Sequence, residues 1–276
     1  MPRLMCFATH HKSGTVWMRR TIQAMGRAFG LDWHGIWRDE AMWKVPDEGR
    51  VFLVNWAGYF PSDLWKRDDV AFVHVIRDPR DIMLSGCVYH HFAGVQGEKW
   101  LHVPRTDLGG KTYQQHLNAL EGDEAKLLFE MGGKHRETVE EMRAWPWGDD
   151  RAFELKYEDL MVDTDCALFG AALAHLGLEG EELEAAKRMF WEQSLFGGMA
   201  KIDDRPRHLM GHVASEGALK RWETELPLEV AEVYAERHGA DLVALGYEPD
   251  ETSWLARLKP AEPRAGRAGA TSRGKG

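Results

Sequence analysis

The sequence predicts an α/β fold: a single domain with a mainly parallel central sheet flanked by helices. Three observations carry this. Short apolar runs alternate along the chain with longer stretches of helical spacing. The first run passes through a tight, glycine-bearing polar turn straight into a helix. The 276 residues, 44% of them hydrophobic, can bury one substantial core.

Residues 3–8 are short and largely apolar, as in a buried strand, and 9–14 read as a turn. Residues 15–29 follow at helical spacing, with Ile22, Met25 and Phe29 on a recurring face. Residues 51–54 form a second apolar run and 70–76, rich in β-branched residues, a third. The third ends at Arg77-Asp78-Pro79, a sharp helix start. Asp78 can cap, Pro79 fits the first helical position, and Asp81 suits the positive helix end. That helix is expected to run to about His90. Residues 93–112, glycine-bearing and poor in apolar residues, read as a loop. Gly122 separates helices expected at 112–121 and 124–144. Residues 152–156 make a fourth strand, followed by Tyr157-Glu158-Asp159-Leu160. A helix over 165–176 is stopped by Gly177, and others cover 180–192 and 227–239. Residues 193–217 lack periodicity and read as a long loop. The domain is expected over 1–259; the tail 260–276, made of Ala, Gly, Pro and Arg, has the composition of a disordered segment. In such a sheet, sites lie at the strand C-terminal ends.

A net charge of −9 argues against general nucleic-acid binding, which needs a basic surface. Cys6, Cys87 and Cys166 are odd in number and widely spaced, so neither a disulfide framework nor a zinc site is expected. With no signal peptide at the start and no membrane span, a reducing, cytoplasmic location is the expectation. The charge is uneven. Residues 1–31 hold Arg3, Lys12, Arg19, Arg20 and Arg27 and no acid; the first is Asp32. Two readings fit: an exposed basic helix face, or a local anion site.

His10-His11-Lys12-Ser13-Gly14-Thr15 favours the second. A helix N-terminus offers unpaired N–H groups and partial positive charge. Gly14 permits close backbone approach, Lys12 adds a full charge, and Ser13 and Thr15 add hydroxyls. The loop is not a Walker A motif, whose lysine follows its second glycine; here Lys12 precedes Gly14.

These residues resemble the PAPS-dependent sulfotransferases. The family's 5′-phosphosulfate loop reads approximately TYPKSGTTW, and residues 9–17 read THHKSGTVW. Its 3′-phosphate segment has an Arg followed eight residues later by a Ser, as Arg77 and Ser85 are spaced here. Its YEDL matches residues 157–160, and Ser194-Leu195-Phe196 with Met199 is similar to its adenine-side TSF segment. The matches fall in the family's order. The resemblance implies a sulfotransferase domain of P-loop-like nucleotide-binding fold over 1–259, with PAPS as sulfuryl donor and a small-molecule or carbohydrate acceptor. Lys12, Ser13, Gly14 and Thr15 would hold the 5′-phosphosulfate, with Lys12 also catalytic. Trp17, Tyr157, Ser194 and Phe196 would line the adenine, and Arg77 and Ser85 would hold the 3′-phosphate. Trp17 and Phe196 also fit as ordinary core aromatics, and Asp81 could instead be a simple ion partner for Arg77.

Two departures stand out. The cytosolic branch carries its catalytic His 22 residues before Arg77, where this chain has Asn55. An amide is no base at neutral pH, so His11, beside the donor loop, is the first substitute, followed by His34 and Glu40. Near the C-terminus, where the family places Arg-Lys-Gly over the 3′-phosphate, Ser215 and Glu216 fall at the basic positions; Arg205 and Arg207 are candidate replacements. No metal site is evident, and the sulfuryl group, less charged than a phosphoryl group, has less need of one. Twelve tryptophans are many for this length, and Trp33, Trp37, Trp43 and Trp56 fall where the family builds acceptor pockets. Aromatic walls suit phenols, apolar alcohols or sugar faces alike. A P-loop-type nucleotide kinase or hydrolase and a catalytically impaired nucleotide-binding module are the rival readings.

Overall fold

A computed structural model of the chain describes residues 1–37, 39–201 and 219–259. Its centre is a five-stranded parallel sheet, ordered β2-β3-β1-β4-β5, from β1 (Leu4–Ala8), β2 (Trp33–Gly35), β3 (Val51–Asn55), β4 (Val70–Ile76) and β5 (Ala152–Lys156). The inner strands β1, β3 and β4 are buried along their whole length, which is why they read as continuous apolar runs.

Successive side chains serve opposite faces. Met5, Phe7, Val54, Val73 and Val75 pack beneath helices α1 (Thr15–Phe29), α8 (Ala167–His175) and α9 (Gly180–Glu192), against Met18, Ile22, Phe169 and Phe190. Leu4, Cys6, Ala8, Leu53 and Phe72 pack on Phe60, Leu64 and Trp145 on the other face. A second core joins α3 (Pro79–His90), α5 (Asp123–Glu130) and α11 (Leu228–Ala244) through Met83, Leu127, Tyr234 and Trp222. The remaining helices are α2 (Ser62–Trp65), α4 (Tyr113–Ala119), α6 (Arg136–Arg143), α7 (Tyr157–Val162) and α10 (Trp222–Glu225). All three cysteines are buried and unpaired. Among the described residues no helix is long and apolar enough to cross a membrane.

The α/β class, the four longer strands and α1 match the sequence expectation, and Asp78 caps α3 by accepting from the Arg80 N–H at 3.0 Å. Several elements differ, among them the short helices α2 and α10, which were not expected. The three-residue edge strand β2 was not expected. Residues 157–162, read only as a motif, form α7. The single helix expected over 124–144 is broken by a π-helical turn at Met131–His135, where Gly133 leaves helical geometry. The cause is tertiary: the Tyr113 phenol occupies the space a Cβ on Gly133 would need. The helix expected to stop at Gly239 continues to Ala244, because that glycine gives room to Glu251 rather than ending the helix. The expected tail 260–276, and Arg205, Arg207, Ser215 and Glu216, lie outside the described residues.

Candidate functional site

The C-terminal ends of β1 and β4 and the start of β5's following helix meet at one pocket of about 490 Å³. His11, Lys12, Gly14, Thr15 and Trp17 reach it from the first turn and α1, Arg77 from the end of β4, and Tyr157 from the end of β5. The turn is shaped by two left-handed residues, Lys12 at φ 62° and Gly14 at φ 90°. Gly14 is required for a second reason: a Cβ there would sit 3.1 Å from the Tyr157 ring. The Thr15 hydroxyl ties the turn by donating to the His10 carbonyl at 2.9 Å and meeting the Thr9 hydroxyl at 2.8 Å.

Several polar groups at this turn are left for a ligand. The Ser13 hydroxyl and Arg77 Nε are buried without a hydrogen-bond partner. Arg77 spends one donor on the Lys12 carbonyl, at 3.1 Å, and lays its guanidinium 4.6 Å from the centre of the Tyr157 ring. Asp81, the alternative partner for Arg77, stands 3.9 Å away and accepts instead from the backbone N–H groups of Lys220 and Trp222. The Lys12 ammonium lies 4.2 Å from the centre of the Tyr89 ring. Burial, and then the Arg77 charge, push its pKa down to about 7. Two cations held side by side, with no carboxylate among the described residues hydrogen-bonded to either and only Asp81 at 3.9 Å from Arg77, and with orphaned donors beside them, have the chemistry of an anion site.

The aromatic cluster at the other end joins three expected residues. Trp17 stacks on Phe190 at 4.4 Å and meets Tyr157 and Phe196 edge-on. Trp17 and Tyr157 line the pocket; Phe196 packs behind Trp17 against the core. Ser194 is fully buried and donates its hydroxyl to the Trp191 carbonyl at 2.7 Å, while its neighbours Gln193 and Leu195 face the pocket. Ser85 is buried within α3.

The base candidates separate clearly. Asn55 is consumed structurally: its amide donates to the Ile36 carbonyl at 2.6 Å and accepts from the N–H groups of Ala57 and Tyr59. His34 sits on the edge strand β2, and the Glu40 side chain lies outside the described part. His11 lines the pocket and heads a buried chain. Its Nε2 lies 2.9 Å from His90 Nε2, and His90 Nδ1 lies 2.9 Å from a Glu130 oxygen that also accepts the Tyr113 hydroxyl at 2.8 Å. If the Glu130 oxygen accepts from His90 Nδ1–H as it does from the Tyr113 hydroxyl, His90 Nε2 is left to accept the Nε2–H of His11. That leaves the basic nitrogen of His11 at Nδ1, 3.8 Å from Glu98.

Sequence reasoning did not find Tyr89, Glu98, Trp100, Lys134 and Glu141, which line the pocket with Trp56 and Ala57. Tyr89 lies in the last turn of α3, Glu98 and Trp100 in the segment after it, Lys134 in the π-helical turn and Glu141 in α6, and no local motif marks them. Trp33, Trp37 and Trp43 are exposed rather than core, and Trp37 reaches the ring of Trp56 at 6.3 Å. No group of three or more His, Cys, Asp or Glu among the described residues is arranged to hold a metal ion.

No family model matches the sequence, and no curated protein matches it. Solved structures do. Mouse sulfotransferase SULT7A1 complexed with PAP is 15% identical, with a TM-score of 0.57, covering 88% of this chain and 86% of that one. Retinol dehydratase in complex with retinol and PAP is also 15% identical, with a TM-score of 0.53 over 87% and 81% of the two chains. The same enzyme with androsterone and PAP gives 14% and 0.52 at the same coverage. The chain therefore has the PAPS-dependent sulfotransferase fold.

Proposed function

We propose that the protein is a sulfotransferase that moves a sulfuryl group from PAPS to the hydroxyl or amine of a small-molecule acceptor. One observation carries this: the turn opening α1, with Lys12 and Arg77 side by side and no carboxylate hydrogen-bonded to either among the described residues, faces the same pocket as an aromatic wall and a histidine. The structures sharing the fold hold PAP, and two hold retinol or androsterone. Trp56, Tyr89 and Trp100 give this pocket aromatic walls suited to a comparable apolar alcohol or phenol, or to a sugar face.

In the reaction, the acceptor oxygen or nitrogen forms a bond to sulfur as the bond from sulfur to the bridging phosphate oxygen breaks, and PAP leaves. Lys12 and the N–H groups opening α1 stabilise the negative charge that grows on that bridging oxygen. Ser13 and Thr15 complete the 5′ cradle. Arg77 and Ser85 are assigned to the 3′-phosphate, and Trp17, Tyr157, Ser194 and Phe196 to the adenine side. His11 Nδ1 takes the acceptor proton, and the imidazolium so formed faces Glu98. His90 and Glu130 hold its tautomer.

Two measurements test the reading. Adenosine 3′,5′-bisphosphate should bind and ATP with Mg²⁺ should not compete with it. With radiolabelled PAPS and a panel of phenols, alcohols and sugars, the wild type should transfer label, and Lys12→Ala should lose most turnover while staying folded. Preference for ATP, or normal turnover in Lys12→Ala, would overturn it.

A further inference from the structure

The other histidine of the donor turn, His10, points away from His11's chain and heads another. His10 Nε2 lies 2.8 Å from His74 Nε2, and His74 Nδ1 lies 2.6 Å from Glu154 on the edge strand β5. On its other side His10 Nδ1 faces Glu141 on α6 at 3.7 Å and has no hydrogen-bond partner. Glu141 lines the pocket. Both imidazoles are fully buried, whereas the side chains at the two ends, Glu141 and Glu154, are 26% and 30% exposed. His10 and His11 occupy the two positions where the resembled motif reads Tyr-Pro, so the paired chains are a property of this sequence.

We propose that Glu141, His10, His74 and Glu154 form a proton-transfer chain that links the pocket to solvent at the edge of the sheet. Once the Glu141 side chain closes its 3.7 Å gap to His10 Nδ1, the chain has two complete arrangements holding the same number of protons. In the first, a protonated Glu141 donates to His10 Nδ1, His10 Nε2–H donates to His74 Nε2, and His74 Nδ1–H donates to the Glu154 carboxylate. In the second, every bond is reversed: Glu154 is protonated and donates to His74 Nδ1, His74 Nε2–H donates to His10 Nε2, and His10 Nδ1–H is directed at the Glu141 carboxylate. Three hops convert one into the other and move one proton from pocket to surface. No imidazolium persists at either end of the exchange.

The surroundings favour transfer over storage. Burial lowers the basicity of both rings, and most strongly that of His74, so neither retains a charge. His74 is stacked on Trp145 at 4.0 Å with Trp147 alongside, and Gly58 packs so closely on the His10 ring that a Cβ there would collide with it. Lys134 holds the Glu141 carboxylate at 3.5 Å and is itself held by Glu137 at 3.2 Å. Glu154 accepts the Trp145 indole N–H at 2.6 Å, and burial still pushes its pKa up to about 7, near the pH at which it must accept and release a proton. The chain headed by His11 differs on one decisive point: its terminal Glu130 is 1% exposed, so it orients a histidine but exports nothing. Sulfuryl transfer to a hydroxyl sets one proton free in the pocket at each turnover; the purpose of the chain rests on that reading, but its existence does not.

The test is nitrogen NMR of the full-length, ligand-free protein labelled at histidine, which is independent of any nucleotide or acceptor. At pH 8.5 the short bond to Glu154 should hold the proton of His74 on Nδ1 and that of His10 on Nε2. As pH falls through about 7, Glu154 gains a proton, and both rings should exchange tautomer at one shared midpoint while staying neutral. Glu154→Met, measured at pH 8.5, should produce the same double exchange, since only Glu141 then attracts the His10 proton. Glu141→Met should keep the high-pH tautomers and abolish the exchange. Tautomers that move in one ring alone, or in neither, would overturn the proposal; the wild-type titration decides it even if a variant does not fold.

Discussion

The Arg77 guanidinium donates to the Lys12 carbonyl across 3.1 Å, joining the end of β4 to the donor turn after β1. This bond holds the left-handed Lys12 in place and sets the two cations side by side over Tyr89 and Tyr157. Asp81, only 3.9 Å away, leaves Arg77 with capacity for an anion. Arg77→Ala should therefore weaken adenosine 3′,5′-bisphosphate binding about ten- to a hundredfold, the worth of a hydrogen bond to a charged group, about 1.5–3 kcal/mol. Titration calorimetry on the folded variant checks this. Arg77→Lys should recover only part of the affinity, since an ammonium cannot reach the carbonyl, cover the ring and meet the ligand together.

Lys12 makes nucleotide binding depend on pH. Without ligand its pKa is lowered to about 7 by burial and by Arg77. A bound phosphate or sulfate favours the charged form and raises it. Below pH 7 the ammonium already exists, so this group leaves affinity flat. Above pH 7 binding must take up a proton, and affinity should fall by up to about tenfold per pH unit until the liganded pKa is reached. Calorimetry at pH 8 in buffers of different ionisation enthalpy should show uptake approaching one proton. Lys12→Met should bind more weakly and lose that uptake.

The legible parts of this fold are those set by local chemistry. The inner strands are apolar on both faces, and α3 begins at a cap and a proline, so both stand out in sequence. The donor turn is legible because lysine, hydroxyls and glycine fall together before a helix. What escaped is held by distant partners. β2 is three residues long and exists because β3 offers it an edge. The break at Gly133 depends on Tyr113, and it places Lys134 and Glu141 at the pocket. His10 and His11 find His74 and His90 from 64 and 79 positions away, a pairing that no spacing rule announces. Asn55, at the position where a base was expected, is bound to Ile36 because the edge of the sheet needs its amide.

His11 depends on a carboxylate that never touches the pocket. Glu130→Gln replaces an acceptor with an amide that can donate, so His90 no longer has to present a lone pair to His11. His11→Ala should cost the full contribution of a general base, about 10²- to 10⁴-fold in kcat, and Glu130→Gln a large part of it. The KM for PAPS and the affinity for adenosine 3′,5′-bisphosphate should change little. The acid limb of the kcat–pH profile should move to lower pH, because the imidazolium loses its buried counter-charge. A drop in kcat with the limb unmoved would indicate damaged packing around Tyr113 instead.

Arg80 lies beneath the site and supports it through Asp78. It is 1% exposed, pairs with both Asp78 oxygens at 2.9 and 2.7 Å, reaches Glu248 at 2.6 Å, and lies 3.7 and 4.8 Å from the ring centres of Trp222 and Trp254. Asp78 in turn caps α3, and its own N–H is held by Glu158 of the Tyr157-Glu158 pair. Arg80→Met fills much of the aromatic slot but leaves Asp78 buried without its cation; Glu248 keeps Arg257. Removing one partner of such a buried pair costs about 3–5 kcal/mol. For a chain of this size that is a fall in Tm of roughly 10 °C, readable by thermal unfolding. Ligand binding should weaken as well, since Arg77 immediately precedes the cap that Arg80 secures. Arg80→Met with an unchanged Tm would mean that the two tryptophans, rather than the ion pair, hold this corner together.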